Sequence, residues 1–299
     1  MINKLHFFQK IFIGILFCVS TPNLVLAQQQ FVTLAYLENG LKELKNNEKQ
    51  VALQLLANEL IIDSGLQMNV IPMRTFSEMQ ESIEDGDIDY VIFNSFHFLS
   101  HYDFLQDYFV APLLAIKRGP SDRENFIIVA NKQYADMDLN SLRNKTLSLH
   151  PQYLLMKFYL AYLIKQSSGL DYKQFFNKIK HTKTASQAVL DVYFGISDLC
   201  IIPKHIFDLT VDLNPAIMKK LVILHQSEEQ FFPVLVFSFK HLDGSVRNLI
   251  NRNLSELNQS VRGEQILDMF NIQSINPVTL EQLQPMRILF QNYQTLSQK

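Results

Sequence analysis

Short apolar runs alternate along this chain with stretches whose apolar residues recur at helical spacing. Residues 31–37, FVTLAYL, predict a first strand, and 68–72 and 89–93 predict a second and a third. Between them, Val51, Leu53, Leu55, Leu56, Leu60 and Ile61 place a helix over 48–64. Met79 and Ile83 share one face of a shorter helix over 76–84. Strands that alternate with helices in this way predict a mainly parallel sheet covered by helices.

The apolar run at 109–116 ends in Lys117-Arg118-Gly119-Pro120-Ser121-Asp122, a polar breaker that leaves the first sheet. A second series follows, with strands at 126–130, 146–149, 198–202 and 221–224. It also has a one-turn helix near 138–145 and longer helices over 152–166 and 186–194. The segment 225–233 reads as a second crossing, and 234–239 as a further strand. Beyond Asp243 the chain reads as helical, including 264–270 and 279–296. Two crossings let the chain leave one lobe, build another and return. The predicted class is therefore α/β with two lobes, each a mixed, mainly parallel sheet flanked by helices. Residues 28–119 and 224–299 make one lobe and 120–223 the other. Open α/β sheets hold ligands at the carboxyl ends of their strands, which places a binding site in the cleft between the lobes.

The first 27 residues bear on where such a chain works. Lys4 and Lys10 precede the apolar run 11–20, and Asn23-Leu24-Val25-Leu26-Ala27 ends in a small residue. That order predicts an export signal cleaved after Ala27, which would leave the protein in the periplasm. The run is shorter than the roughly 20 residues that span a bilayer. Cys18 lies inside it rather than after a pair of small residues, so no lipid anchor is expected. Removing two Lys and no acid moves the net charge from -2 to -4. No basic face or stripe points to nucleic acid. Only Cys200 remains after cleavage, so no intramolecular disulfide can form, and its setting in LCII predicts a buried, inert thiol.

Signals for catalysis are missing from the sequence: it holds no Gly-rich nucleotide loop, P-loop, HExxH, CxxC or GxSxG. Asp85, Asp87 and Asp89 alternate with Gly86 and Ile88, but no Glu stands where a calcium loop needs its last ligand, so a solvated turn is expected. His97 and His101 are spaced as metal ligands on a helix would be, yet aromatic residues crowd the segment and no further ligands cluster there. Neither a metal, a cofactor nor a catalytic residue is expected.

The segment DGDIDYVIFNS at 85–95 resembles the Gly-x-hydrophobic-Asp strand of the periplasmic phosphate/phosphite/phosphonate-binding proteins, the PhnD-like receptors of ABC importers. Downstream segments agree in order: SDRENFIIVA at 121–130, DLNSLRNKTLSL at 138–149 and ASQAVLDVYFGISD at 185–198. In the second of these, Asn144 stands where the family pattern has Gly. The resemblance covers nearly the whole chain after the signal. It implies a type 2 periplasmic-binding-protein fold and a solute-binding protein that closes on a small ligand. That protein would be a monomer delivering its ligand to an ABC permease or, alternatively, presenting its bound state to a membrane sensor. It also implies ligand contacts at the end of the first strand, Tyr36, and of the third, Asn94 and Ser95. Further contacts are implied at the second-lobe entrance, Ser121, and at two helix starts, His150 with Gln152 and Thr184 with Ser186. Replacing Asn94 or Ser95 is expected to weaken binding with little loss of stability. The family's Ser/Thr-rich helix start reads Leu149-His150-Pro151-Gln152-Tyr153 here. The missing hydroxyls, and the backbone donor that Pro151 removes, predict poor binding of phosphate and simple alkylphosphonates. The expected ligand is instead neutral or zwitterionic, held by Tyr36, His150 and Gln152.

Overall fold

The structure is a computed structural model that describes residues 30–38, 46–118, 121, 123–151, 153–228 and 231–298. The expected export signal and its cleavage point therefore lie outside the described residues. The first lobe opens with β1 (Phe31–Leu37), α1 (Asn46–Leu60), β2 (Gln67–Met73), α2 (Phe76–Glu84) and β3 (Tyr90–Asn94). The short helices α3 (Ser95–Ser100) and α4 (Tyr102–Leu105) and strand β4 (Phe109–Lys117) complete this passage. The second lobe then runs through β5 (Phe126–Asn131), β6 (Thr146–Leu149), α5 (Leu154–Ser168), α6 (Tyr172–Phe175) and β7 (Lys178–His181). It continues with α7 (Ala185–Tyr193), β8 (Leu199–Pro203), α8 (Lys204–Leu213), α9 (Ile217–Lys220) and β9 (Leu221–Gln226). The chain returns in β10 (Val234–Phe239), α10 (Gly244–Glu256), α11 (Val261–Met269), β11 (Ser274–Val278) and α12 (Leu280–Ser297).

Two sheets result. One has the order β11-β4-β10-β3-β1-β2 and the other β7-β6-β8-β5-β9. Each has a parallel core of three strands, β2-β1-β3 and β7-β6-β8, continued by antiparallel strands. The antiparallel members β4, β5, β9 and β10 carry the chain out of one lobe and back, so both sheets are mixed rather than mainly parallel. Pairing of β9 with β5 extends to Gln226, which moves the second crossing past the expected boundary at 224.

Alternation along the strands sorts the core. In the first sheet Leu34, Tyr36, Tyr90 and Ile92 pack under α1, α10 and α11, while Ala35, Leu37, Val91 and Phe93 face the side of α2 and α3. In the second, Ile127, Val129, Cys200 and Ile202 meet α7 and α8. Helix α5 lies on the opposite face and is buried on nearly all sides from Leu155 to Ile164, as suits its almost uniformly apolar sequence. Its far flank meets α12, so the C-terminal helix touches both lobes rather than the first alone. Strand β11 was expected to be helix. Its Pro277 removes a backbone donor, which an edge strand paired only to β4 tolerates.

Candidate functional site

Strand directions bring the chemistry to one place. Val234 at the start of β10 lies opposite Asn94 at the end of β3, and Phe126 at the start of β5 lies opposite Pro203 at the end of β8. The carboxyl ends of the parallel strands in both sheets, the starts of α5, α7 and α8, and both crossings therefore meet between the lobes. The crossings pair with each other: Glu124 N donates to Phe231 O at 2.7 Å, and Phe231 N donates to Glu124 O at 2.8 Å. A cavity of about 340 Å³ opens there. Asn94, Pro233 and Val234 wall it from the first lobe, and His150, Tyr153, Lys183, Thr184 and Ser186 from the second. Arg118 and Glu124, beside the crossing, line it too.

Of the eight residues expected at the site, Asn94, His150, Thr184 and Ser186 line this cavity. Asn94 caps α3 by accepting from His97 N at 3.0 Å through Oδ1, which leaves its amide NH2 as the donor group of the side chain. Thr184 caps α7 by accepting from Gln187 N at 3.1 Å, and Gln187 reaches back to the Lys183 amide at 3.0 Å. His150 Nε2 lies 2.9 Å from Lys183 O. A carbonyl only accepts, so Nε2 carries the hydrogen and donates it to Lys183 O.

Three expected residues sit elsewhere. Tyr36 is 2 % exposed among the apolar side chains under α1, and burial, with Glu38 nearby, raises its phenol pKa. It packs in the helix layer and is not among the residues that line the cavity. Ser95 is fully buried and donates its hydroxyl to Phe232 O. Ser121 is exposed, bridges Arg118 and accepts from Arg123 N at 3.1 Å. Gln152 lies outside the described residues.

The start of α5 also departs from expectation. The helix begins at Leu154, three residues beyond Pro151, so Pro151 takes no donor from its first turn. Among the described residues no side chain caps it. The first-turn N–H groups of α5 and α7 converge on the cavity, where helix dipoles favour negative charge. Arg118 and Lys183 add two cations, and Glu124, 6 % exposed, adds a carboxylate. Burial and the neighbouring Arg118 hold His205 below its ordinary pKa, so it is neutral at pH 7. Phe126, Leu154 and Ile206 give the cavity apolar wall. Arg118 was read only as part of a linker and Glu124 only as part of the segment 121–130; two opposite charges flanking a crossing that must border the cleft were the signal for them.

Over residues 45–283 the sequence matches the family described as "ABC transporter, phosphonate, periplasmic substrate-binding protein". The chain belongs to that family. It is thus a periplasmic substrate-binding protein of the ABC-transporter type, whose task is to hold a small molecule for a permease. Among curated proteins none matches it. Solved structures share the fold. XAC2383 from Xanthomonas citri, bound to ATP, superposes with a TM-score of 0.65 at 12 % identity, covering 90 % of this chain and 99 % of that one. PhnD1 from Prochlorococcus marinus, in complex with methylphosphonate, gives 0.60 at 14 % identity, covering 89 % and 98 %. A binding-protein component of a phosphonate transporter from Pseudomonas aeruginosa gives 0.59 at 12 %, covering 90 % and 88 %. These likenesses establish two lobes of the type 2 periplasmic-binding-protein kind.

Proposed function

We propose that this protein captures an organic anion carrying a second, hydrogen-bond-donating or cationic group, and that an organophosphonate with a polar substituent fits that description. One observation carries the reading: the starts of α5 and α7 share one cavity with Arg118, Lys183 and the buried Glu124. The anionic head would sit at the helix starts, receiving N–H groups and the Thr184 and Ser186 hydroxyls. Arg118 and Lys183 would compensate its charge. Glu124 disfavours a second full negative charge and favours a donor at the ligand's other end. Phe126 and Leu154 would cover the carbon chain between them. A cavity of about 340 Å³ exceeds what bare phosphate fills, which supports a larger ligand.

Closure of two lobes about paired crossings needs no bond chemistry, so binding and release, not catalysis, are the proposed activity. The proposed boundaries are crossings at 118–124 and 227–233, and the mature chain is proposed to start at Gln28 and act as a monomer. Delivery to a permease is favoured over a sensor by the family itself. Calorimetric titration with phosphate, methylphosphonate and 2-aminoethylphosphonate tests the ligand class. The amino-substituted compound should bind at least tenfold tighter than the other two. Phosphate binding as tightly, or no binding of any of the three, overturns it.

A further inference from the structure

Receptors that close about a hinge join their lobes by the crossing strands, and ligand supplies the remaining contacts across the cleft. Here a third connection exists. Helix α12 follows β11 at the edge of the first sheet, yet its buried stripe serves both lobes. On the first-lobe side, the Arg287 guanidinium lies 3.6 Å from the centre of the Tyr102 ring, and Phe290 lies 6.1 Å from Phe96 of α3. On the second-lobe side, Phe158 of α5 lies 5.2 Å from Phe290 and 5.3 Å from Tyr293, the latter edge to face at 90°. Phe96 meets Phe158 at 6.1 Å and closes the cluster. Met286, between these contacts, accepts from Phe232 N of the second crossing at 3.4 Å through its sulfur.

We propose that α12 is a brace across the hinge, and that the aromatic seam of Phe96, Phe158, Phe290 and Tyr293 holds the ligand-free lobes near their closed arrangement. Two observations and one physical argument converge on this. The seam joins α3 and α5, whose starts carry the Asn94 and Tyr153 walls of the cavity. Opening that separates α3 from α5 exposes these rings to water, which opposes the motion. Met286 ties the same helix to the crossing strand itself. The amplitude of opening is then set by side chains of the protein as well as by ligand, whatever the ligand is.

Small-angle scattering of the ligand-free protein tests the brace. The double substitution Phe290→Ala with Tyr293→Ala should raise the radius of gyration while the far-ultraviolet helical signal stays at the wild-type level. Tyr293→Phe should keep the wild-type radius. Ile250→Ala serves as control, because it empties a fully buried position inside the first lobe. It should lower thermal stability without expanding the particle. An unchanged radius in the double variant overturns the proposal. So does a rise that comes with loss of helical signal, since a frayed α12 expands the particle without moving the lobes. Equal expansion in the Ile250→Ala control overturns it as well.

Discussion

The Ser95 hydroxyl donates to the carbonyl of Phe232, and the Ser95 amide donates to Pro233 O at 3.1 Å, so one residue at the end of β3 clamps the returning crossing twice. The position is fully buried, and Phe232 is itself buried. Ser95→Ala removes the hydroxyl and leaves a buried carbonyl without that partner, which costs about 1–3 kcal/mol. Urea unfolding should show the loss as a lower midpoint. The expectation that Ser95 could be changed at little cost to stability is thus reversed.

Stability should also respond to pH through His101. Its ring stacks on Phe76 with centroids 3.5 Å apart, and burial lowers its pKa from the ordinary 6.5. The unfolded chain therefore takes up this proton before the folded one does. Stability from the neutral, buried ring is complete above about pH 6.5 and is lost as pH falls from there through the lower folded value. His101→Phe keeps an aromatic ring on Phe76 and removes the titration. Between pH 8 and pH 5 the wild type should lose more stability in urea than this variant. Parallel losses would mean that His101 does not titrate as its burial requires.

Local pattern alone located most elements. The bounds expected for 31–37, 76–84, 146–149 and 234–239 coincide with the observed ones, because apolar alternation, the Thr75 cap and the turn at Gly86 all act within a few residues. What escaped depends on partners distant in sequence. Ser95 looked like a cleft residue because Phe232, its partner 137 positions away, is invisible from the strand itself. Tyr36 follows the same strand-end logic, yet the side of β1 it occupies is decided by α1 and α10 packing there. Strand β11 is defined only by its pairing with β4, and its proline argues locally against a strand. Of the binding site, the helix starts were legible and the charges at the crossing were not.

Asn144 bears directly on the resemblance noted in the sequence, since the family pattern has Gly there. The residue adopts φ 64°, in the left-handed region. For most L-residues that conformation costs about 1–2 kcal/mol, and Asn is among the few that visit it routinely. Asn144→Gly should therefore be neutral or stabilise by up to about 1 kcal/mol. Asn144→Val should destabilise by about 1–2 kcal/mol. Thermal melts of the two variants, compared with wild type, should move in opposite directions or leave only the Val variant shifted.

Charge in the cleft gives the most direct functional expectation. Arg118 is half-buried beside the crossing, whereas Lys183 is exposed at the α7 start, and both line the cavity. A hydrogen bond to a charged group is worth about 1.5–3 kcal/mol, and screening by water and salt discounts the exposed member. At 1.4 kcal/mol per tenfold, Arg118→Ala should weaken binding of the best anionic ligand by roughly 10- to 100-fold. Lys183→Ala should weaken it by about tenfold or less, and that smaller effect should shrink further when salt is raised. Tyr36→Phe should leave affinity unchanged, because Tyr36 is buried and does not line the cavity. Titration of the three variants at low and high salt checks the order. A larger loss from Tyr36→Phe than from Arg118→Ala would mean that the ligand lies nearer the end of β1 than this cavity allows.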